Sequence, residues 1–565
     1  MINEKMYMVM KNFSEDFLKE LLGDLKDSLI EWSIDKDLVT KKNMIDIILS
    51  VNGLALLENS KFLYNFYLSM EDLKDLKRIA EAFGVLKEGE KFDQTEIAMK
   101  LSKIKFCDNE GYKLLISDYF GLNDYSFDTK IIELPEEVVG RSLQEPFFEL
   151  YDYQYIIKQQ TINDLANKNK YLYKILLHMP TGTGKTKTTM HIIAHYLNFI
   201  SKGKGLIIWI AHSRELLIQA YETFLSVWRH LALFDIKIYK GWVSFPTELK
   251  DGILFASIQG LQQKLKKPIF DEITDKASLI VFDEVHKSGA KKYAQCVDRL
   301  MKKDNEYGKT FIGLTATPGR ATDDDKRNQL FREDFDKIIG IDVDKINLIS
   351  LTENEARNYQ GSKEPITYFQ ENKYLAKLQR ELLEFKLDSD VYEKLRKEYI
   401  SKYEDYSDEL LKEISLNKSR NTMIINRLYS LNKDGVPTIV FACSLQHAKM
   451  LSAFLKMQNI ENSLVHGDMK SYDRKKAIDD FKSGKVNIII NYDILTTGFD
   501  STNIRCVFIT RPTKSVILYS QMIGRGLRGP RMGGNEYCKL IDIDDNLSKF
   551  ADENSAFKHF NKYWR

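Results

Sequence analysis

The chain has 565 residues, which is enough for three or four domains, and its 43% hydrophobic and 29% charged content is that of a soluble globular protein. No apolar run approaches the roughly 20 residues of a bilayer-spanning helix, and the charged N-terminus lacks the apolar core of a secretory signal. The five scattered cysteines form no C-x-x-C pair, which argues against a disulfide framework and a structural zinc site and favours a reducing cytoplasm.

The first segment, residues 1–145, is acidic and is predicted to be an all-helical domain. It contains 19 Lys and Arg against 28 Asp and Glu, whereas the remaining residues contain 64 basic and 53 acidic side chains. Apolar residues recur at helical spacing in residues 17–22 and 44–49. Aromatic residues such as Phe62 and Phe66 are interpreted as core, because they are not interleaved with arginines as a base-stacking surface would be.

Residues 146–345 alternate strand-like and helix-like segments, which favours a parallel sheet with helices on both faces. Within them, a glycine-rich turn at residues 179–186 (M-P-T-G-T-G-K-T) follows an apolar run and precedes a helix-like one. Glycines let backbone N–H groups surround an anion, and the helix N-terminus adds its positive dipole end. The general pattern has glycine where Met179 stands, so an ordinary glycine-rich turn is the alternative to a phosphate-binding loop.

A phosphate-binding loop assigns a role to each residue of this turn. Thr181, Gly182, Thr183 and Gly184 would surround the phosphates of a nucleotide. Lys185 would reach the β- and γ-phosphates, and the adjacent Thr186 would bind Mg²⁺.

A second apolar run, residues 277–282, ends in an acidic pair. Buried parallel strands read as such runs, and ligands lie at their carboxyl ends. Asp283 is therefore predicted to hold Mg²⁺, and Glu284 to orient and deprotonate the attacking water. An isolated acidic pair after a strand is usually a solvated loop. Here the pair follows the glycine-rich turn by about a hundred residues, which suits one nucleotide-binding domain.

The remaining residues divide into a charged bridge and a second sheet domain. Residues 346–430 are predicted to be a helical bridge or insertion, with residues 374–383 interpreted as helix. From 431 to 565 strand and helix patterns resume, with apolar runs typical of central strands. Near the end, Gln521 precedes Arg525 and Arg528, which lie three residues apart and so on one face of a predicted helix. Such a pair is suited to act as arginine fingers, although alone it is more often a solvated face.

The glycine-rich turn, the acidic pair and the arginine pair together resemble helicase superfamily 2, and the match extends from about residue 148 to 545. Further stretches match its motifs in order: 150–154 (the glutamine motif), 210–216 (motif Ia), 256–259, 315–318 (motif III), 439–444 (motif IV) and 495–500 (motif V). Within the superfamily, A-H-x-R-E-L, T-T-G-F-D and I-G-R-G-L-R are most similar to the group of type III restriction helicase subunits, RadD-like repair proteins and XPB-type translocases. The resemblance to DEAD-box proteins is weaker, because these have Ala-Asp where Val285 and His286 stand.

The resemblance implies two RecA-like motor domains in tandem, residues 146–345 and 431–565, with ATP and Mg²⁺ in the cleft between them. Catalytic roles are implied for Lys185, Glu284, Arg525, Arg528 and Gln521. ATP contacts are implied for Gln154 with adenine, Tyr153 packed nearby, and Asp500 with the ribose. Coupling between the ATP and nucleic-acid sites is implied for His286, Thr315 and Thr317. Nucleic-acid contacts are implied around His212, Arg214, Ser257, Gln259, Ser444, Thr496, Thr497 and Gly498.

The expected activity is that of an ATP-dependent DNA helicase or double-strand DNA translocase, in repair, restriction or phage defence, with double-stranded or forked DNA preferred. An ATP-gated nucleic-acid clamp and the motor subunit of a nuclease complex remain open, and no metal-nuclease signature is recognised in the chain. No motif resembles the family before residue 148. Because an acidic surface is repelled by phosphates, the first 145 residues are expected to regulate the motor or dock a protein partner. The alternative is a helical cap that stabilises the first motor domain.

Overall fold

The computed structural model describes residues 4–23, 25–26, 40–87, 91–104, 111, 116, 119, 134–142, 149–167, 172–285, 291–302, 308–316, 334–342, 365–400, 405–496, 499 and 501–545. These residues form an N-terminal helical unit and two domains that are each built on a sheet. In this part of the chain, no helix is both long and apolar enough to cross a bilayer.

The N-terminal unit consists of short amphipathic helices. They are α1 (Glu4–Met10), α2 (Glu15–Leu22), α3 (Lys41–Asn52), α4 (Ser60–Leu68), α5 (Leu73–Ala82) and α6 (Gln94–Leu101). All but α1 begin after a Ser, Thr, Asn or Asp whose side chain accepts a hydrogen bond from an N–H group of the first turn. A 3₁₀ helix, Gly53–Glu58, continues α3. The helices predicted around residues 17–22 and 44–49 are therefore confirmed as α2 and α3.

The first sheet has eight described strands. They are β1 (Glu136–Val139), β2 (Leu172–His178), β3 (Leu206–Ala211), β4 (Ile236–Lys240), β5 (Gly252–Ser257), β6 (Ala277–Asp283), β7 (Lys309–Thr315) and β8 (Lys337–Ile339). Their order is β1-β4-β5-β3-β6-β7-β2-β8, and every pairing is parallel except that of β1 with β4. The edge strand β1 corrects the all-helical prediction for residues 1–145, because Glu136–Val139 pairs with the first motor sheet.

Helices cover both faces of the first sheet. They are α7 (Asp152–Ala166), α8 (Lys185–His195), α9 (Arg214–Leu231), α10 (Ile258–Lys264), α11 (Pro268–Lys276) and α12 (Lys291–Met301). Alternate strand residues contribute to two separate hydrophobic clusters, one on each face. This burial on both faces explains why β3 and β6 read as continuous apolar runs.

The second sheet has six described strands, all parallel, in the order β11-β12-β10-β13-β14-β9. The strands are β9 (Lys377–Leu383), β10 (Thr438–Phe441), β11 (Ser463–Val465), β12 (Ile488–Asn491), β13 (Cys506–Ile509) and β14 (Tyr537–Ile543). The associated helices are α13 (Pro365–Glu371), α14 (Ser389–Ile400), α15 (Asp408–Ser415), α16 (Lys418–Lys433), α17 (Leu445–Met457), α18 (Ser471–Lys482) and α19 (Val516–Ile523). The two parallel sheets confirm the predicted tandem of RecA-like domains.

The strand β9 corrects the helix expected at residues 374–383. Lys377–Leu383 pairs along its whole length with β14, so the second sheet takes its edge strand from the segment that the sequence assigned to the bridge. The bridge is otherwise helical where it is described, in α13 to α16.

The N-terminal unit packs on the second motor domain. Ile45 and Ile48 of α3 belong to the same hydrophobic cluster as Met450 and Leu451 of α17, and α3 lies directly against α17. The cluster continues to one face of the second sheet, for example to Val440. The unit therefore extends the core of the second motor domain. The alternative expectation placed this unit as a cap on the first motor domain, whereas its described helices share their core with the second.

Candidate functional site

The phosphate-loop sequence forms a tight turn between β2 and α8. Gly182 and Gly184 both have left-handed backbones, with φ of +83° and +77°. A Cβ atom on Gly184 would lie 2.4 Å from Nε2 of Gln154, so only glycine fits there. Lys185 begins α8, and its Nζ donates to the carbonyl of Met179 at 3.4 Å. The predicted loop residues 181–186 are thus brought together around a helix N-terminus.

Gln154 and Tyr153 hold this loop from the side of α7. The amide Nε2 of Gln154 donates to the carbonyl of Thr183 at 3.0 Å, and its Oε1 accepts from the backbone N–H of Tyr151 at 3.0 Å. The hydroxyl of Tyr153 donates to the same Thr183 carbonyl at 2.9 Å. Both side chains are fully buried. The adenine contact of Gln154 remains a prediction, and the contacts observed here fix the shape of the phosphate loop.

The acidic pair lies at the same edge of the sheet. Asp283 is the last residue of β6, and its Oδ1 accepts from the backbone N–H of Glu284 at 3.0 Å. Glu284 has a positive φ of +55°, a conformation that costs a non-glycine residue about 1–3 kcal/mol. The register pairs Asp283 with Leu314 of β7, and β7 pairs with β2. Only β7 therefore separates β6, which ends in the carboxylates, from β2, which leads into the phosphate loop.

Thr315, a predicted coupling residue, lies between these two groups. It is the buried last residue of β7, and its carbonyl accepts from the N–H of Met179 at 3.1 Å. No role was predicted for His178, whose Nε2 lies 3.1 Å from the carbonyl of Ala316. Burial lowers the pKa of His178 to about 3, so the ring is neutral and joins β2 to the start of motif III. Its signal in the sequence is a polar residue that ends an apolar run.

The arginine pair corrects one prediction, because the helix ends before it. α19 terminates at Ile523, so Arg525 and Arg528 do not share a helical face. The guanidinium of Arg525 donates to the carbonyls of Phe499 at 2.5 Å and Thr496 at 3.0 Å, which are in the motif V segment. Arg528 instead forms a β-bridge with Leu375. The two arginines are held by different neighbours.

The two motor domains meet at the phosphate loop. A Cβ atom on Gly524, just after α19, would lie 2.4 Å from Cγ2 of Thr181. Gln521 is buried in α19, and its Nε2 has no hydrogen-bond partner among the described residues. A buried donor three residues before Gly524, which meets the anion-binding loop, fits a phosphate group as its partner. ATP and Mg²⁺ therefore fit the residues present, with Thr186 and Asp283 as the candidate metal ligands.

An aromatic cluster beside the loop also escaped the sequence analysis. Tyr151 and Tyr153 stack with ring centroids 6.1 Å apart, and Tyr374 meets each of them edge-on. Arg531 of the second domain lies 5.0 Å from the Tyr374 ring centroid, and its carbonyl accepts from the Tyr151 hydroxyl at 2.5 Å. Lys187 lies over the Tyr151 ring, and burial lowers the pKa of Lys187 to about 8. The cluster therefore joins both motor domains next to the loop that Tyr153 holds.

Of the described residues predicted to contact nucleic acid, His212, Ser257 and Ser444 lie at or shortly after strand ends. His212 follows β3 and Ser257 ends the neighbouring β5, where Ala211 pairs with Ser257. Ser257 and Ser444 cap α10 and α17, accepting from backbone N–H groups at 3.0 and 3.1 Å. Arg214 and Gln259 are exposed, and Thr496 is buried beside Arg525. The remaining predicted residues, Asp500, His286, Thr317, Thr497 and Gly498, lie outside the described residues.

Family models match both motor domains. Residues 147–320 match the model described as type III restriction enzyme, res subunit, and residues 420–529 match the helicase conserved C-terminal domain. The chain belongs to helicase superfamily 2. Within the superfamily it is related to the type III restriction res subunit group, as the sequence predicted.

Curated relatives of this superfamily 2 protein are similar over most of its length. It is 26% identical over 413 residues to the "Putative ATP-dependent helicase IRC3" of Saccharomyces cerevisiae, covering 72% of this chain and 53% of that protein. It is 25% identical to the Schizosaccharomyces pombe "Putative mitochondrial ATP-dependent helicase irc3", covering 67% of this chain and 55% of the relative. The chain thus spans about half the length of these relatives. Among solved structures, S. cerevisiae Dbp5 bound to RNA and ADP BeF3 matches with 16% identity and a TM-score of 0.42, covering 72% of this chain and 87% of Dbp5.

Proposed function

We propose that this protein hydrolyses ATP to move along nucleic acid, as a DNA helicase or double-strand DNA translocase with double-stranded or forked DNA as its preferred substrate. The observation that carries the proposal is the contact between Gly524, which follows α19, and Thr181 of the phosphate loop. The loop, the acidic pair and the segment with the arginines come from two domains. A site that is complete only when both domains meet links ATP binding to closure of the cleft.

The residues of the first domain have distinct roles in this proposal. Lys185 compensates the charge of the β- and γ-phosphates, and the backbone N–H groups of the loop surround them. Glu284 orients the attacking water and accepts its proton. Mg²⁺, held by Thr186 and Asp283, would supply charge neutralisation at the phosphates.

The second domain contributes charge and a mechanical link. Arg525 and Arg528 stabilise the charge that develops on the transferred phosphoryl group. Because Arg525 also donates to the motif V carbonyls of Thr496 and Phe499, a change at the phosphates moves the segment predicted to contact nucleic acid. Contacts to the backbone position a strand without reading its bases, as a moving motor requires.

Two variants of full-length protein test the ATP site. Lys185→Ala should abolish turnover, because it removes the cation that compensates the phosphates. Glu284→Gln should bind ATP yet hydrolyse it very slowly. Phosphate release and nucleotide binding are measured side by side, with Lys204→Gln, an exposed lysine of the first motor domain, as the control. Turnover close to wild type in both site variants would refute the assignment.

The substrate is tested by comparing nucleic acids. Hydrolysis should rise most with double-stranded or forked DNA, and binding should weaken steeply with salt because the contacts are to phosphates. Stimulation by RNA alone would contradict the DNA preference. A strand-displacement assay separates a helicase from an ATP-gated clamp, because a clamp hydrolyses ATP and releases no strand. Fluorescent triplex displacement detects translocation that releases no strand.

A role in repair, restriction or phage defence is part of the proposal, and the possible nuclease partner bears on it. The relationship to the type III restriction group favours a motor that serves a cutting partner. Co-purification from the native host followed by a nuclease assay tests this alternative, since any cutting would come from the partner.

A further inference from the structure

The first turn of α18 touches all three parts of the protein. Asp473 faces the N-terminal unit, and its carboxylate accepts from the backbone N–H of Leu54 at 3.3 Å. Arg474, the next residue, donates to Oε1 of Glu215 in the first motor domain at 2.8 Å. Both residues belong to the second motor domain. Two consecutive side chains thus reach in two directions, one to the N-terminal unit and one across the motor cleft.

The contact with the N-terminal unit is closely fitted. Gly53 has a φ of +53°, and a Cβ atom there would lie 3.0 Å from the Asp473 carboxylate. Lys470, just before α18, forms an ion pair of 3.1 Å with Glu58 of the same 3₁₀ helix. Asp473 is only 9% exposed, although it carries a carboxylate. The N-terminal unit therefore fixes the start of α18 by two polar contacts, in addition to the hydrophobic cluster that α3 shares with α17.

The contact across the cleft depends on the position of Arg474. One terminal nitrogen of its guanidinium donates to the carbonyls of Gly467 and Met469 at 3.1 and 3.2 Å, which ties the side chain to the loop that precedes α18. The other terminal nitrogen reaches Glu215, in the first turn of α9. If the start of α18 shifts, Arg474 shifts with it and the bridge to the first motor domain weakens.

We propose that the docked N-terminal unit stabilises the closed arrangement of the motor domains, acting through Asp473 and Arg474 on Glu215. This inference rests on the proposed function only in its effect on ATP turnover. A partner or ligand that loosens the N-terminal unit then opens the cleft and slows the motor. The unit is a regulator of the motor, and it acts through the second motor domain.

A double-mutant cycle in the full chain tests the coupling. Asp473→Ala should lower nucleic-acid-stimulated kcat/KM for ATP about two- to five-fold, which is the range that an exposed ion pair such as Arg474–Glu215 supports. In a Glu215→Ala background, Asp473→Ala should have no further effect, because both the ion pair and the hydrogen bond to Arg474 are already lost. Asp473→Asn keeps an acceptor for the Leu54 N–H and should retain wild-type activity. Asp479→Ala, on the exposed side of the same helix, is the matched control.

Substitutions at positions 473 and 215 that act independently on kcat/KM contradict the proposal. If the losses of kcat/KM caused by Asp473→Ala and Glu215→Ala multiply in the double variant, or if Asp473→Ala changes nothing, the two contacts are not coupled. Thermal melting is measured on every variant. If Asp473→Ala does not fold, Lys470→Gln loosens the same interface at a partly exposed ion pair and replaces it in the cycle.

A distance measurement separates this proposal from the proposed function. Dyes at Lys204→Cys and Lys433→Cys, exposed positions in the first and second motor domains, report closure by energy transfer. The four described native cysteines are buried. In the absence of nucleotide, Asp473→Ala should shift the distribution of distances between the two dyes to longer values. This holds whether or not the protein hydrolyses ATP. An unchanged distribution overturns the coupling. A wild-type protein without stimulated turnover overturns the proposed function alone.

Discussion

Replacement of Gln154 by methionine tests whether this side chain shapes the phosphate loop or reads the base. Methionine preserves length and volume and removes both hydrogen bonds. The Thr183 carbonyl keeps the Tyr153 hydroxyl, whereas the Tyr151 N–H loses its acceptor. Removing one partner of a buried group costs about 1–3 kcal/mol, and the half-buried Tyr151 N–H lies in the lower part of that range. If this cost of about 1–2 kcal/mol is recovered when the free loop relaxes and must be met again on binding, nucleotide affinity falls by at most about 5- to 30-fold.

The loss should be equal for ATP and GTP, because the distorted loop contacts phosphates and not bases. The assay is a fluorescence titration with labelled ATP, followed by competition with unlabelled ATP or GTP. Tyr153→Phe removes one hydrogen bond to the Thr183 carbonyl and should weaken the binding of both nucleotides about 2- to 12-fold. Gln159→Met, the same change elsewhere on α7, is the control. A loss of ATP affinity with GTP affinity unchanged would refute this reasoning and identify Gln154 as a reader of adenine.

The remaining predictions concern charged side chains of the second motor domain and of α16, the bridge helix associated with its sheet. Arg525→Ala and Arg528→Ala should each lower turnover far more than ATP binding, about 10³-fold for an arginine finger; loss of nucleic-acid affinity alone would show that the arginine was misassigned. Arg420→Met leaves a buried carboxylate unpaired and should cost about 3–5 kcal/mol of unfolding free energy. Arg427→Met, on the same helix but in a partly exposed pair, should cost less, about 0.2–1 kcal/mol, and equal urea midpoints for these two variants would contradict the comparison. Burial raises the pKa of Asp473 to about 7, so the folded chain binds more protons than the unfolded chain between pH 4 and 7, and stability falls as pH rises through that window. The fall is measured as melting temperature against pH. Asp473→Asn should make this curve flatter between pH 4 and 7, and an unchanged slope would show that Asp473 is not the group responsible.

The sequence predicted the central strands because their physical cause is local. Parallel strands that are buried on both faces are continuous apolar runs, as in β6, β10 and β13. The edge strand β9 was misread, since its sequence K-L-Q-R-E-L-L is made of residues with high helix propensity. Pairing with β14 overrides that propensity, and no local pattern indicates it.

The sequence predicted which residues form the site better than it predicted how they are arranged. The phosphate loop and the acidic pair could be placed because each follows an apolar strand. The end of α19 before Arg525 was missed, although Gly524 and Gly526 on either side are poor helix formers. The packing of the N-terminal unit on the second motor domain could not be predicted, because apolar spacing shows that a face is buried and not what covers it.

The shared core of α3 and α17 has a consequence for synthesis of the chain. The two helices lie roughly 400 residues apart in sequence. At about 5–20 residues per second, the ribosome releases the first helix about 20–80 s before its partner surface exists. During that interval the apolar side of α3 has no native contact with α17, so the nascent chain is open to chaperones and to aggregation. Slow translation or heat should therefore reduce the yield of this protein through its first helices, long before the motor domains are complete.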